Sequence, residues 1–282
     1  MTIKMIASDM DGTFLNDKGT YDRERFEGIL DRLDHHGIRF VVATGNNMAR
    51  VNLMFDSLLN RLDFVAENGA HLLVEGETIN RFILNQTDVD AFLDYFKAQL
   101  AAYKVILTGA QHSYMLEAAE WEITNHMIAP EEAKAFVDAI KRVESFEDIP
   151  KDETIIKMSV MTGDSVEADA VMADFNTHFT GNLTAVTSGF GTIDIIQTGV
   201  HKAAGLQALM ERFEILPDEL MAFGDSGNDV EMLHLANDSY AVANAPEIIK
   251  QHAKYLAPSH TEDGVLEVIE SYLDQLESEN GR

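Results

Sequence analysis

The sequence predicts an α/β protein: a Rossmann-like parallel-sheet core interrupted by an inserted α+β domain. Three observations point there. An apolar run over residues 3 to 7, broken only by Lys4, stops at Asp9-Met10-Asp11-Gly12; short apolar runs then alternate with amphipathic stretches as far as residue 66; and the same alternation returns after residue 198.

The first run is too short for a helix and reads as a buried strand near 3–8. Amphipathic stretches near 21–36 and 47–59 read as helices and the runs near 39–43 and 63–66 as strands, and this βαβαβ order implies parallel pairing. Each strand ends in polar residues: Asp9 and Asp11, then Thr44-Gly45-Asn46, then Glu67-Asn68-Gly69. All three turns therefore lie on one sheet edge, the edge where open α/β sheets bind ligands. Late in the chain Lys202 opens a helix to about Phe213, Glu219 to Phe223 is a strand, and Gly224-Asp225-Ser226-Gly227-Asn228-Asp229 is its turn. A helix near 229–235, a short strand from Tyr240 to Val242, a helix from Pro246 and a last helix from Gly264 to Leu276 follow. Between the halves the pattern predicts helices near 87–102, 130–143 and 164–175 and strands near 103–107, 155–161, 182–187 and 192–196. The expected division is a core built from 1–84 and 198–282 with a cap domain at 85–197. No internal repeat or low-complexity segment is visible, and the tail from Glu277 is expected to fray.

The composition, 46% apolar and 24% charged over 282 residues, is that of a soluble globular chain long enough for two cores. Acidic residues number 48 against 21 basic, a formal net charge of -27. Such a field disfavours nucleic acid and anionic membrane, and an anionic substrate needs a local positive site. The chain has no cysteine, which excludes thiolate catalysis, disulfides and cysteine-based zinc sites. With no signal-peptide pattern and no window approaching a membrane span, a cytoplasmic protein is expected, a monomer or small homo-oligomer acting on a small molecule.

Asp9 and Asp11 share a face if the strand continues, and Gly12 lets the chain turn just after them. Two converging carboxylates repel unless a cation lies between them or one holds a proton. Asp-Gly is also an ordinary turn pair. The Asp-x-Asp-Gly string occurs in calcium loops too, but those need a Glu at loop position 12, where this chain has Thr20. The other turns add Thr44 with Gly45, Lys202, and Asp225 with Asn228 and Asp229, which together suit a metal and phosphate site. A phosphoryl group in transit needs its oxygens neutralised, donors to orient it and an in-line nucleophile. A carboxylate can be that nucleophile, Asp11 can protonate the leaving alcohol and then activate water, and Asp225 completes an oxygen-rich shell suited to Mg2+.

These motifs resemble the haloacid dehalogenase superfamily and, within it, the Cof-type phosphatases. Ser8 to Leu15 is similar to the first motif, Ala43-Thr44-Gly45 to the second, Lys202 to the third and Gly224 to Asp229 to the fourth; Asn244 to Glu247 and Glu262 to Val265 also resemble Cof-type sequence. The resemblance implies Asp9 as nucleophile and Asp11 as general acid/base. It implies Mg2+ held by Asp9, Asp225 and the backbone carbonyl of Asp11. It also implies Thr44, Gly45, Lys202, Asn228 and the backbone of Met10 around the phosphoryl group. Asp229 matches a residue that touches a metal-bound water or orients Lys202. One departure stands out: relatives often carry Arg directly after Thr-Gly, and here that position is Asn46.

The stretch from Asp11 to Thr44 holds one helix and one strand, whereas that from Thr44 to Lys202 holds a domain, so the cap occupies the second insertion position (C2 type). Its candidate contacts are His112, Tyr114, Trp121 and His126, for each of which packing or surface exposure is the competing reading. His35-His36 before Gly37 reads as a helix end, the methionines as core filler, and the acidic runs Glu117 to Glu122 and Glu144 to Glu153 as solvated surface. The expected function is a Mg2+-dependent phosphatase of sugar phosphates or similar phosphomonoesters, working through an aspartyl-phosphate. The alternatives are a phosphomutase on the same core and a phospho-aspartate signalling domain. A dehalogenase would not need Asp11.

Overall fold

The computed structural model describes residues 2–120, 134, 137–187 and 191–280. By its internal contacts the chain divides into two compact units, Met1–Ile79 with Lys202–Arg282, and Asn80–His201.

In the first unit β1 (Met5–Ser8), α1 (Arg23–His36), β2 (Arg39–Ala43), α2 (Met48–Phe55) and β3 (Asp63–Ala66) follow one another as the periodicity predicts. Asp22 caps α1 by accepting from the Arg25 N–H, and Gly37, at φ 66°, ends it in the left-handed conformation after His35 and His36. A 3-10 turn over Asp56–Arg61 replaces the last part of the expected second helix. β4 (His71–Val74) and β5 (Glu77–Arg81), joined by Glu75 and Gly76 at φ 51° and 82°, form a hairpin that the sequence reading did not include.

The second unit contains α3 (Gln86–Tyr95), β6 (Ile106–Gly109), β7 (Ser113–Leu116), β8 (Lys141–Val143), β9 (Ile155–Met161), α4 (Ser165–His178), β10 (Leu183–Thr187) and β11 (Thr192–Gln197). The strand expected near 103–107 lies at Ile106–Gly109, β7 is a strand the sequence did not predict, and two of the expected helices change. The helix near 87–102 ends at Tyr95, and the end of the helix near 130–143 is strand β8, paired in parallel with β7 through Tyr114 and Lys141. Much of that second stretch, with Trp121 and His126, lies outside the described residues. The sheet order is β10-β11-β9-β6-β7-β8. Phe92 of α3, Phe96 just after its end and Phe175 of α4 are buried in one core with Leu107, Met158, Val160 and Ile195, and the rings of Phe96 and Phe175 stack with centroids 5.8 Å apart.

The chain re-enters the first unit with α5 (Lys202–Phe213), β12 (Leu220–Gly224), α6 (Val230–Leu235), β13 (Asp238–Val242), α7 (Glu247–Lys250), β14 (Tyr255–Ala257) and α8 (Gly264–Asn280). Its sheet has the order β14-β13-β12-β1-β2-β3-β4-β5, parallel from β14 to β3, with β4 antiparallel to β3. Both faces are buried: Met5, Ala7, Val41 and Val65 share a core with Leu206 and Leu209 of α5, while Ile6, Phe40, Val42 and Phe64 share one with Phe26, Val51, Phe55 and Ile269. That is why the central strands read as continuous apolar runs. β1 therefore lies between β12 and β2, and the turns that end these three strands stand side by side.

Candidate active site

The end of β1 delivers Asp9 into the protein, where only 6% of the residue is exposed. Lys202, the first residue of α5, is wholly buried and donates to Asp9 Oδ1 at 2.5 Å and to Asp229 Oδ1 at 2.6 Å. The other oxygen of Asp229 accepts from the backbone N–H groups of Asp225 and Ser226, both at 3.0 Å, which folds the turn after β12 around it. Asp225 accepts from the Thr13 hydroxyl at 3.0 Å and so ties that turn to the one after β1. Gly12 makes the approach possible: it sits at φ 79°, and a Cβ there would come within 2.6 Å of Asp225 Oδ2.

Burial raises the Asp9 carboxyl well above its ordinary range; Lys202 pulls it down, and Asp229 and Asp225 push it up again. Asp225 is pushed up to about 7, first by burial and then by Asp229, with the Thr13 hydrogen bond and Lys202 acting the other way. Burial works against the charge of Lys202, but Asp229 and Asp9 outweigh it and hold the ammonium above its usual range. Carboxylates crowded to this degree call for a cation or protons. One oxygen from each of Asp9, Asp225 and Asp229 lies within 4.8 Å of the others. Since Asp229 already serves Lys202 and two N–H groups, Asp9 and Asp225 are the side chains that fit an oxygen-ligand divalent cation.

Asp11 faces other partners. Arg50 grips it with a two-bond fork, Nη1 to Oδ2 at 2.8 Å and Nη2 to Oδ1 at 2.6 Å, and Asn46 Nδ2 donates to Oδ2 at 2.5 Å. The Asn46 amide also donates to Thr44 Oγ1 at 2.8 Å, and its carbonyl accepts from Arg50 at 2.8 Å. Asn47 caps α2 by accepting from the Arg50 N–H, which fixes Arg50 in the first turn of the helix.

A family profile for haloacid dehalogenase-like hydrolases matches residues 6–269. The chain is 34% identical over 275 residues to the 5-amino-6-(5-phospho-D-ribitylamino)uracil phosphatase YbjI of Escherichia coli, covering 97% of each chain. The 5-amino-6-(5-phospho-D-ribitylamino)uracil phosphatase YcsE of Bacillus subtilis is 26% identical, with 96% of each chain covered. The crystal structure of SMU.1108c from Streptococcus mutans is similar with a TM-score of 0.86 and 36% identity, over 97% of this chain and 100% of that one. The chain belongs to the haloacid dehalogenase-like hydrolases.

As a Cof-type phosphatase of that superfamily, it brings Asp9, Asp225, Asp229 and Lys202 into direct or bridged contact, with Asp11 and Thr44 linked through Asn46. The Asp11 carboxylate is not among the converging three, so a contribution to a metal would fall to its backbone carbonyl. Met10 has its side chain in the core and can address a ligand only through its backbone. Gly45 lies in the turn after β2, between Thr44 and Asn46. Asn228 Nδ2 donates to Asn68 Oδ1 at 2.9 Å, and the Asn68 N–H donates to the Thr44 carbonyl at 3.0 Å, so the turn after β3 braces two others.

Sequence reasoning missed Arg50, Asn68 and Thr13. The signal for Arg50 was its place on a helix opening directly after the Thr-Gly turn; a cation in that position otherwise reads as surface. In the second unit Tyr114 is buried and its hydroxyl donates to Glu153 at 3.0 Å, while His112, 41% exposed, lies 3.6 Å from the same carboxylate. Glu153, with a side chain only 3% exposed, also accepts from the Gln111 N–H, so the end of that acidic run is built into the unit rather than solvated.

Proposed function

We propose that this hydrolase is a Mg2+-dependent phosphatase of small phosphorylated metabolites, sugar phosphates or similar phosphomonoesters, acting through an aspartyl-phosphate at Asp9. The observation that carries the reading is the convergence of Asp9 and Asp225 beside a buried Lys202 at one sheet edge. The phosphorylated ribityl chain named for the Escherichia coli and Bacillus subtilis relatives is one member of this substrate class.

In the reaction, Asp9 attacks phosphorus as the bond to the leaving oxygen breaks, and Asp11 gives that oxygen a proton. Asp11 then takes a proton from water, the water oxygen bonds to phosphorus, and the bond to Asp9 breaks to release phosphate. Lys202, held by Asp229, lies against the nucleophile and offsets charge on the phosphoryl oxygens. Thr44, Gly45, Asn228 and the Met10 backbone orient those oxygens. Mg2+, held by Asp9, Asp225 and the Asp11 carbonyl, would supply further charge neutralisation. The inserted unit is assigned the choice of leaving group. The cysteine-free sequence suits the cytoplasm, and the net charge of -27 favours small substrates over nucleic acid.

The test is phosphate release from a panel of sugar phosphates, nucleotides and other phosphomonoesters, with Mg2+ and with chelator. Metal-dependent release, selective within the panel, is expected. Protein that binds Mg2+ yet releases no phosphate from any compound would overturn the reading.

A further inference from the structure

We propose that Arg50 is a specificity-determining residue that reads a second anionic group on the leaving alcohol, and that its fork on Asp11 is the resting position of both side chains. The inference rests on the phosphatase reading above and narrows it to phosphomonoesters whose leaving group carries a carboxylate or a second phosphate.

Arg50 takes both oxygens of Asp11, at 2.8 and 2.6 Å, and Asn46 takes one of them again at 2.5 Å. A carboxylate so engaged has poor access to a leaving oxygen, so turnover requires the fork to open. What opens it at least cost is an anion that presents two oxygens to the fork as the Asp11 carboxylate does. A guanidinium fork matches carboxylate and phosphate alike, whereas a neutral hydroxyl would leave both charges under-partnered.

The position agrees. The leaving oxygen departs opposite the nucleophile, and Asp11 is the group assigned to protonate it, so a cation gripping Asp11 stands on the leaving-group side. Lys202 is not available for that task, since it is wholly buried between Asp9 and Asp229. Arg50 is better placed: its side chain is 15% exposed and that of Asp11 29%. Its Nε is buried without a hydrogen-bond partner among the described residues, so the fork leaves part of its donor capacity unused. Asn46, in the position after Thr-Gly, supports the arrangement by accepting from Arg50 while donating to Asp11 and Thr44.

The experiment compares kcat/KM of wild type, Arg50→Gln and Arg50→Lys on two substrate sets under saturating Mg2+. One set has neutral leaving groups, p-nitrophenyl phosphate and ribitol phosphate; the other has anionic ones, a sugar bisphosphate and a phosphorylated hydroxy acid. Wild type should prefer the anionic set. Arg50→Gln should lose about tenfold or more on that set, mainly in KM, and much less on the neutral set, so that the preference for anionic leaving groups disappears. Arg50→Lys should recover part of the preference, keeping the charge without the fork. An equal fall on both sets would make Arg50 a support for Asp11 or for the phosphoryl group alone, and unchanged preference would remove it from recognition; either overturns the proposal. Wild type inactive on every compound would instead defeat the phosphatase reading itself.

Discussion

Lys202 and Asp9 meet at 2.5 Å, the ammonium wholly buried and the carboxylate nearly so. Neither residue could occupy this position alone, because an unpaired charge out of water costs several kcal/mol, roughly. Asp229 completes the arrangement from the other side, and with its second oxygen it shapes the turn that carries Asp225. One buried lysine thus connects the end of β1, the start of α5 and the turn after β12.

Asp229→Ala should therefore act on stability as well as on rate. It leaves Lys202 with one carboxylate and strips two backbone N–H groups of their acceptor. A loss of about 3–5 kcal/mol is expected in urea unfolding, together with a fall in kcat. Stability within about 0.5 kcal/mol of wild type would contradict the role given to this carboxylate.

Gly12→Ala should weaken metal binding. The new Cβ would meet Asp225 Oδ2 at 2.6 Å from a backbone at φ 79°, so both the turn and the carboxylate must shift. Titration calorimetry should record Mg2+ affinity reduced by about tenfold or more; wild-type affinity would show that Asp225 is not held for the metal.

The pH dependence follows from Asp225, pushed up to about 7 by burial and then by Asp229. A carboxyl raised above its unfolded value binds a proton in the folded state that the unfolded chain has lost. Its favourable contribution is complete below the unfolded pKa near 3.8 and disappears as pH rises through about 7. Metal-free protein should lose thermal stability over that window from this group, and Mg2+, which replaces the proton, should raise Tm more at pH 8 than at pH 5. Scans with Mg2+ and with chelator check this; an equal Mg2+ effect at the two pH values would contradict it.

The sheet edge was legible because β1, β2, β3 and β12 are buried on both faces and stop at polar turns, a pattern that needs no partner to be recognised. Other elements depend on what they pair with. Glu77–Arg81 has no buried side of its own and becomes β5 beside β4. Lys141–Val143 continues a run that reads as helix, yet pairing with β7 makes it a strand, a tertiary preference over a local one. Tyr255–Ala257 is a three-residue edge strand, too short to give a period. Within the site, the carboxylates and Lys202 could be found from strand-end position. The fork of Arg50 on Asp11 could not, because only the fold brings the first turn of α2 against the turn after β1.

A covalent intermediate on Asp9 can be caught by quenching Asp11→Asn during turnover with Mg2+ and substrate and locating any adduct by peptide mass spectrometry. One phosphoryl group is expected on the peptide that contains Asp9, absent when chelator replaces Mg2+ and absent in Asp9→Asn, whose phosphatase activity should fall by about a thousandfold or more. Phosphate release that persists in Asp9→Asn, or an adduct found on another residue, would contradict it.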